Sequence, residues 1–214
     1  MTTMTLVVDC YELGPLQTNC FVVRSERGAK RAVVVDPGGD VTQLRLELAR
    51  IGARCEAILV THGHWDHVLG VADLADATGA RVYMSAAEQE LIERDQDELM
   101  APPLRAFVAD VQPSGGEHYE EAGLEIEAVA CPGHRNGHLA YLIDGRLFSG
   151  DVLFRGSVGR TDLPGGDWEA LVETLAMLAE RFPPETVLYP GHGPETTLGA
   201  ELATNPFLSD LRAR

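Results

Sequence analysis

The sequence predicts an α+β fold in which two β-sheets pack face to face and helices cover the outside. Three observations predict it. Each half of the chain opens on short β-branched runs and continues into segments of helical period. Four of the apolar runs end in loops that carry histidine or aspartate. Sheets with one face to bury, accompanied by amphipathic helices, have a layered sandwich as their natural solution. A length of 214 residues suits one large domain or two small halves that share a core.

In chain order, Leu6–Val8, Cys20–Val23 and Ala32–Asp36 read as strands separated by Gly- or Pro-containing turns, the third ending in the turn Asp36-Pro37-Gly38-Gly39. Val41, Leu44, Leu48 and Ile51 make an apolar helical stripe that Gly52 stops. Ala57–Val60 is a buried strand, followed by Thr61-His62-Gly63-His64-Trp65-Asp66-His67. Helical spacing resumes over Val68–Ala75 with Gly79 as the stop, which puts Asp66 and His67 at a helix amino terminus, where unpaired N–H groups favour a carboxylate. Arg81–Met84 is a strand, and Ala86 to about Leu99 a helix whose acidic run, Glu88 to Glu98, reads as a solvated face. In the second half Leu124–Val129 alternates as a half-buried strand and runs into Cys131-Pro132-Gly133-His134. Leu139–Ile143 and Leu147–Ser149 form a hairpin through Asp144-Gly145, a type I′ signal, and the second of these strands ends in Gly150-Asp151. A Gly-rich loop, 156–166, precedes a helix over Trp168–Phe182 with Asp167 as N-cap. Thr186–Tyr189 is a strand leading to Pro190-Gly191-His192-Gly193, and a last helix begins near Thr196 or Thr197.

The net charge of −16 argues against nucleic acid and against an anionic membrane as partners, because both are bound through Lys and Arg. Met1–Leu6 has neither a basic nor a long apolar region, so no secretory leader is expected, and no apolar run reaches the roughly 18 residues of a membrane span. Cys10, Cys20, Cys55 and Cys131 match no CxxC spacing, which points to free thiols in the cytoplasm.

The chemistry concentrates at the ends of four apolar runs, at His62/His64/Asp66/His67, at His134, at Asp151 and at His192. Four such groups within six residues cannot share one helix face, which needs i, i+3, i+4 spacing, and cannot be core, where unpaired polar groups cost a few kcal/mol each. Ligands on loops carried by a rigid sheet are a common construction. Five histidines and two aspartates exceed the four ligands of a structural zinc and suit two metals sharing a carboxylate. Imidazole and carboxylate accept zinc, the first expectation, and also iron or manganese. Two such ions can hold a hydroxide at neutral pH and polarise a carbonyl, so hydrolysis would need no serine or cysteine nucleophile. His118, in a polar stretch, reads as a surface residue; His138, after the Gly137 turn, as a hydrogen-bonding support for the ligands.

His62-x-His64-x-Asp66-His67 with His134, Asp151 and His192 resembles the signature of the metallo-β-lactamase superfamily, in the family's order and over nearly the whole chain. The resemblance implies one domain over 1–214 with a four-layer αββα sandwich, two mixed β-sheets and the site at one edge of both. It also implies the ligand sets: His62, His64 and His134 for one metal, Asp66, His67 and His192 for the other, and Asp151 bridging. Pro132-Gly133-His134, Gly150-Asp151, Gly159 to Asp167 and Pro190 to Thr197 are similar to the compact, single-domain glyoxalase II (hydroxyacylglutathione hydrolase) group. That likeness implies cleavage of a small-molecule thioester, an S-acyl or hydroxyacyl derivative of glutathione or another small thiol, by a metal-bridging hydroxide. Asp66 would orient the hydroxide, Asp151 would act with it, and Arg160 would bind an anionic group of the substrate. The sequence departs from the group where a lysine and a tyrosine usually follow the bridging aspartate; Arg160 and Asp162 stand there, and Pro194 stands where a tyrosine follows the last histidine. The alternative is a mono-iron persulfide dioxygenase, which shares a Gly-Arg-Thr-Asp element with Gly159–Asp162 and whose iron would sit at His62, His134 and Asp151.

Overall fold

The computed structural model describes residues 5–94 and 102–213. Its first sheet contains β1 (Val7–Leu13), β2 (Thr18–Arg24), β3 (Arg31–Val35), β4 (Arg54–Leu59) and β5 (Arg81–Tyr83), in that spatial order. The strands that follow are β6 (His118–Glu121), β7 (Leu124–Ala130), β8 (Leu139–Ile143), β9 (Arg146–Gly150), the two-stranded ribbon β10 (Leu153–Phe154) and β11 (Ser157–Val158), then β12 (Val187–Pro190) and β13 (Thr196–Thr197). The second sheet has the order β13-β12-β9-β8-β7-β6. Both sheets are mixed. In the first, β3, β4 and β5 run parallel; in the second, β9 and β12 do. The helices are α1 (Thr42–Ile51), α2 (Trp65–Val68), α3 (Val71–Thr78), α4 (Ala86–Arg94), α5 (Trp168–Arg181) and α6 (Leu198–Thr204), with a 3₁₀ segment over Pro206–Ala213.

The strand periodicity sorts the core into three layers. On β2, β3 and β4, Phe21, Val23, Val33, Val35, Ala57 and Leu59 face the other sheet and meet Ile126, Tyr141 and Phe148. The alternate residues, Val22, Val34 and Ile58 among them, face Leu44 and Leu48 of α1 and Leu74 of α3. Strands buried on both faces read as continuous apolar runs, which is how Ala32–Val35 and Ala57–Val60 appear in the sequence. On the far side Leu171, Leu175 and Leu178 of α5 pack on Ala140 and Leu147. The result is the αββα sandwich, with helices outside two mixed sheets.

The hairpin turn at Asp144-Gly145 has positive φ at both central residues, as a type I′ turn requires. Ala122-Gly123 repeats that turn and joins β7 to β6, a strand that the sequence did not suggest. Asp167 caps α5 by accepting from the Ala170 N–H at 3.1 Å, and Thr197 caps α6. Two expectations are corrected. The helix after His67 is not continuous: α2 ends and α3 starts afresh after Gly70. The Gly70 N–H donates to the Pro37 carbonyl at 2.8 Å, and a Cβ there would lie 2.4 Å from the Gly39 carbonyl oxygen, so the chain breaks where it touches the 37–39 turn. The acidic run is not a solvated face at its start, because Glu88 is fully buried. The run beyond Arg94, with the expected end of that helix, lies outside the described residues.

Candidate metal centre

The seven predicted ligands come from four strand ends, and the sandwich brings all four to one place. β4 leads into His62, His64, Asp66 and His67; β7 into His134; β9 into Asp151; β12 into His192. Backbone bonds lock the loops together. Leu139 N–H donates to Thr61 O at 2.8 Å, Gly191 N–H to Gly150 O at 2.8 Å, and Asn19 N–H to Gly191 O at 2.7 Å. Gly191 is required by this closeness, since a Cβ would stand 2.3 Å from Asp151 Oδ1 and 2.6 Å from His67 Cε1.

The ligand atoms fall into two groups, His62/His64/His134/Asp151 and Asp66/His67/His192. In the first, His64 Nδ1 lies 2.9 Å from both His62 Nε2 and His134 Nε2, and the latter two are 3.3 Å apart. In the second, Asp66 Oδ2 lies 3.2 Å from His192 Nε2 and 3.6 Å from His67 Nε2. Asp151 stands between them: its Oδ1 is 3.4 Å from His67 Nε2, and its Oδ2 is 3.7 Å from His134 Nε2 and 3.6 Å from His192 Nε2.

Hydrogen bonds on the outer side of the rings set the tautomers. His134 Nδ1 faces the Arg160 carbonyl at 2.7 Å, which can only accept, so Nδ1 carries the proton and Nε2 is bare. The Thr61 hydroxyl donates to Asp36 Oδ2 at 2.7 Å and therefore accepts from His62 Nδ1 at 3.0 Å, which leaves His62 Nε2 bare as well. Two lone pairs 3.3 Å apart repel unless a cation stands among them. His67 Nε2 and Asp151 Oδ1 are likewise buried with no hydrogen-bond partner. Burial pushes His62 well below the ordinary imidazole range, His64 down to about 3, and His134 down in the same direction. Neutral imidazole is the ligand form. The donor set fits metal ions in both groups.

The second group carries charge. Burial alone would lower His67, but the Asp151 and Asp36 carboxylates outweigh it and hold its pKa well above the ordinary value. His192 is raised by Asp66 and Asp151 against the same burial effect. Burial would raise Asp66; the hydrogen bond from His192, the charge of His67 and the Thr18 hydroxyl bring it down to about 2.

Residues 13–192 match the Metallo-beta-lactamase superfamily. The chain belongs to that superfamily. It is 31% identical over 209 residues to hydroxyacylglutathione hydrolase GloC of Haemophilus influenzae, covering 94% of this chain and 98% of that protein. In three dimensions it is similar to the BLEG-1 B3 metallo-beta-lactamase (TM-score 0.86, 35% identity, 95% of this chain and 100% of the other). It is also similar to TTHA1623, whose structure is a di-iron-bound form (TM-score 0.81, 38% identity, 94% of this chain and 100% of the other).

In this superfamily member several supporting residues escape the motif. Asp36, read as part of a turn, accepts from Thr61 N–H at 2.8 Å and faces His67 Nδ1 at 2.9 Å. Its φ of +48° and its burial mark it as more than a turn residue. The Thr18 hydroxyl donates to Asp66 Oδ2 at 2.7 Å, and the Asn19 amide donates to the carbonyls of Pro190 and Gly193, which fixes the His192 loop. Glu88 accepts from Gly63 N–H at 2.7 Å, Gly137 N–H at 3.0 Å and Arg135 Nε at 3.1 Å, so one carboxylate ties the His62–His64 loop to the His134–His138 loop. The Ser85-x-x-Glu88 spacing of a capping box was the available signal for it. His138 has the supporting role expected of it: burial keeps it neutral, and its Nε2 accepts from the Asp151 N–H at 3.1 Å. His118 is exposed, as expected. The Arg160 side chain lines the pocket over the centre and pairs with Asp162.

Proposed function

We propose that this chain is a metal-dependent hydrolase of small-molecule thioesters, cleaving S-acyl or hydroxyacyl derivatives of glutathione or another small thiol in the cytoplasm. The observation that carries it is the completeness of both ligand groups around Asp151. In this reading His62, His64 and His134 would hold one ion and Asp66, His67 and His192 the other, with the Asp151 carboxylate available to both. Zinc is the first expectation, and iron or manganese suits the same donors; TTHA1623 carries two irons. Two bound ions would supply a hydroxide nucleophile at neutral pH and a Lewis acid for the carbonyl.

The chain's own residues do the rest. Asp66 is ionised near neutrality and fixed by Thr18, so it can accept a hydrogen bond from the nucleophile and orient it. Leu16, Trp65 and Phe154 border an open cavity of about 620 Å³ over the centre and give the substrate an apolar wall beside the ligands. Thiolate is a good leaving group, so no general acid is needed. The GloC relative's name supports the thioester, and the second ligand group, Asp66, His67 and His192, offers a place for a second ion that the persulfide dioxygenase, with His62, His134 and Asp151, would not need. The test is to count metals per chain and to assay thiol release beside persulfide-dependent oxygen uptake. Two ions with thiol release are expected, and His192→Ala should lower both. One iron with oxygen uptake would overturn the reading.

A further inference from the structure

We infer that the pocket selects thioesters whose thiol is uncharged and whose acyl chain is apolar, and that it disfavours an anionic thiol such as glutathione. The inference rests on the thioesterase reading above and narrows its substrate.

Away from the ligands, the cavity wall is made by Leu16, Trp65, Phe154, Val158, Leu163 and Pro164. They come from four separate segments: the β1–β2 turn, α2, the β10–β11 ribbon and the loop after it. Leu16 is 51% exposed in its turn. A substrate that covers it gains apolar burial. A cavity of this size and lining suits a small, largely apolar ligand.

Among the described residues Arg160 is the one cationic side chain in that wall apart from the histidines, and it is not available as a bare charge. Its Nε and Nη2 lie 2.7 and 2.6 Å from the two oxygens of Asp162, which is the fork that a substrate carboxylate would need. Both side chains are exposed, so the pair is weak and can open. Opening it does not remove the Asp162 charge, which then stands beside any incoming carboxylate. The Arg160–Asp162 pair is neutral overall, on a chain whose net charge is −16. A thiol with two carboxylates therefore meets no uncompensated cation there, and an uncharged thiol loses nothing.

The experiment uses the metal-loaded enzyme. Acetyl, butyryl and hexanoyl thioesters of N-acetylcysteamine are compared with butyrylglutathione by kcat/KM. Burial of each methylene is worth up to about fourfold, so a rise of roughly tenfold or more from acetyl to hexanoyl is expected. Butyryl-N-acetylcysteamine should exceed butyrylglutathione by about tenfold. Asp162→Asn should narrow that ratio roughly fivefold by releasing Arg160. Uncleavable S-hexyl thioethers of the two thiols, followed by Trp65 fluorescence in a Trp168→Phe background, give binding without turnover; the neutral thioether should bind more tightly. A flat chain-length profile, a preference for the glutathione compounds, or a ratio unmoved by Asp162→Asn would overturn the inference. Preferential binding of the neutral thioether with no thioester cleaved would leave the pocket's selectivity standing and overturn the thioesterase reading instead.

Discussion

The two halves of the centre hold the same kinds of ligand by different means. The His62/His64/His134 half is buried and its imidazoles are neutral: burial drives them below the ordinary range, and its loops are tied from behind by Glu88 and Arg135, both with fully buried side chains. The Asp66/His67/His192 half is ionic, and its geometry is set by the Asp36 and Thr18 contacts to His67 and Asp66. His192 there is about one-third exposed. One half is shaped by packing around a buried ion pair, the other by charges that face one another. A site built this way should lose its halves separately.

The largest effect is expected at the buried pair. Glu88→Ala leaves the Arg135 guanidinium buried without its counter-charge and frees the Gly63 and Gly137 N–H groups. Breaking such a pair from one side costs about 3–5 kcal/mol. At roughly 2–4 °C per kcal/mol for a chain of this size, thermal unfolding of the metal-free protein should shift down by roughly 6–20 °C. Adding Arg135→Met should recover part of the loss. A shift within about 1 °C would show that the pair does not brace the loops.

Next is the acceptor behind His67. Asp36→Asn keeps a residue that tolerates the positive φ at this position, so the backbone is not disturbed. It removes the carboxylate that faces His67 Nδ1 at 2.9 Å. Losing such a supporting group typically costs 10–100-fold in metal affinity. In a competitive chelator titration the binding step of the His67 half should move by about that factor, and the His62 half, which Asp36 reaches only through the Thr61 hydroxyl, should move less. Equal movement of both steps would mean that Asp36 braces the two halves alike.

The charge difference also separates the halves by pH. His67 and His192 have raised pKa values, so near pH 6–7 they hold protons that a metal must displace. Affinity at that half should rise with pH, by about tenfold per unit for each proton released. His62, His64 and His134 are already deprotonated in that range because their values are lowered, so the other half should be nearly flat. Proton release on metal addition, followed in weakly buffered solution, would show the asymmetry. Equal release in both steps would remove it.

The motif reveals the ligands but not their supports, for a physical reason. A cluster such as His62 to His67 is conspicuous because no core or helix face could accept it otherwise, and strand-end loops account for His134, Asp151 and His192. The two-sheet sandwich follows from alternation and apolar runs, which act locally. Glu88, Arg135, Asp36 and Thr18 have ordinary local readings: a helix face, a loop, a turn, a strand. Their roles come from contacts 25 to 48 residues away in sequence, and those exist only once the two sheets are packed. The break between α2 and α3 was hidden likewise, because Gly70 interrupts the helix through the 37–39 turn rather than through its own propensity.

The mildest test of the comparison is Thr18→Val. Thr18 is fully buried, and valine keeps its shape and β-branching, so β2 and its packing should be retained. What goes is one hydroxyl donating to Asp66 Oδ2 at 2.7 Å. His192 still reaches the same oxygen at 3.2 Å, so the carboxylate keeps a partner and the loss falls at the low end for a hydrogen bond to a charged group, about 1.5 kcal/mol or roughly tenfold in affinity. That loss should appear only in the metal-binding step of the Asp66 half, with the Asp66 carboxyl shifted upward because one of the groups holding it down is gone. If turnover falls tenfold while that step is unchanged, Thr18 acts on the reacting water through Asp66 and not on the ion. The ionic half would then be divided between a group that binds and a group that orients.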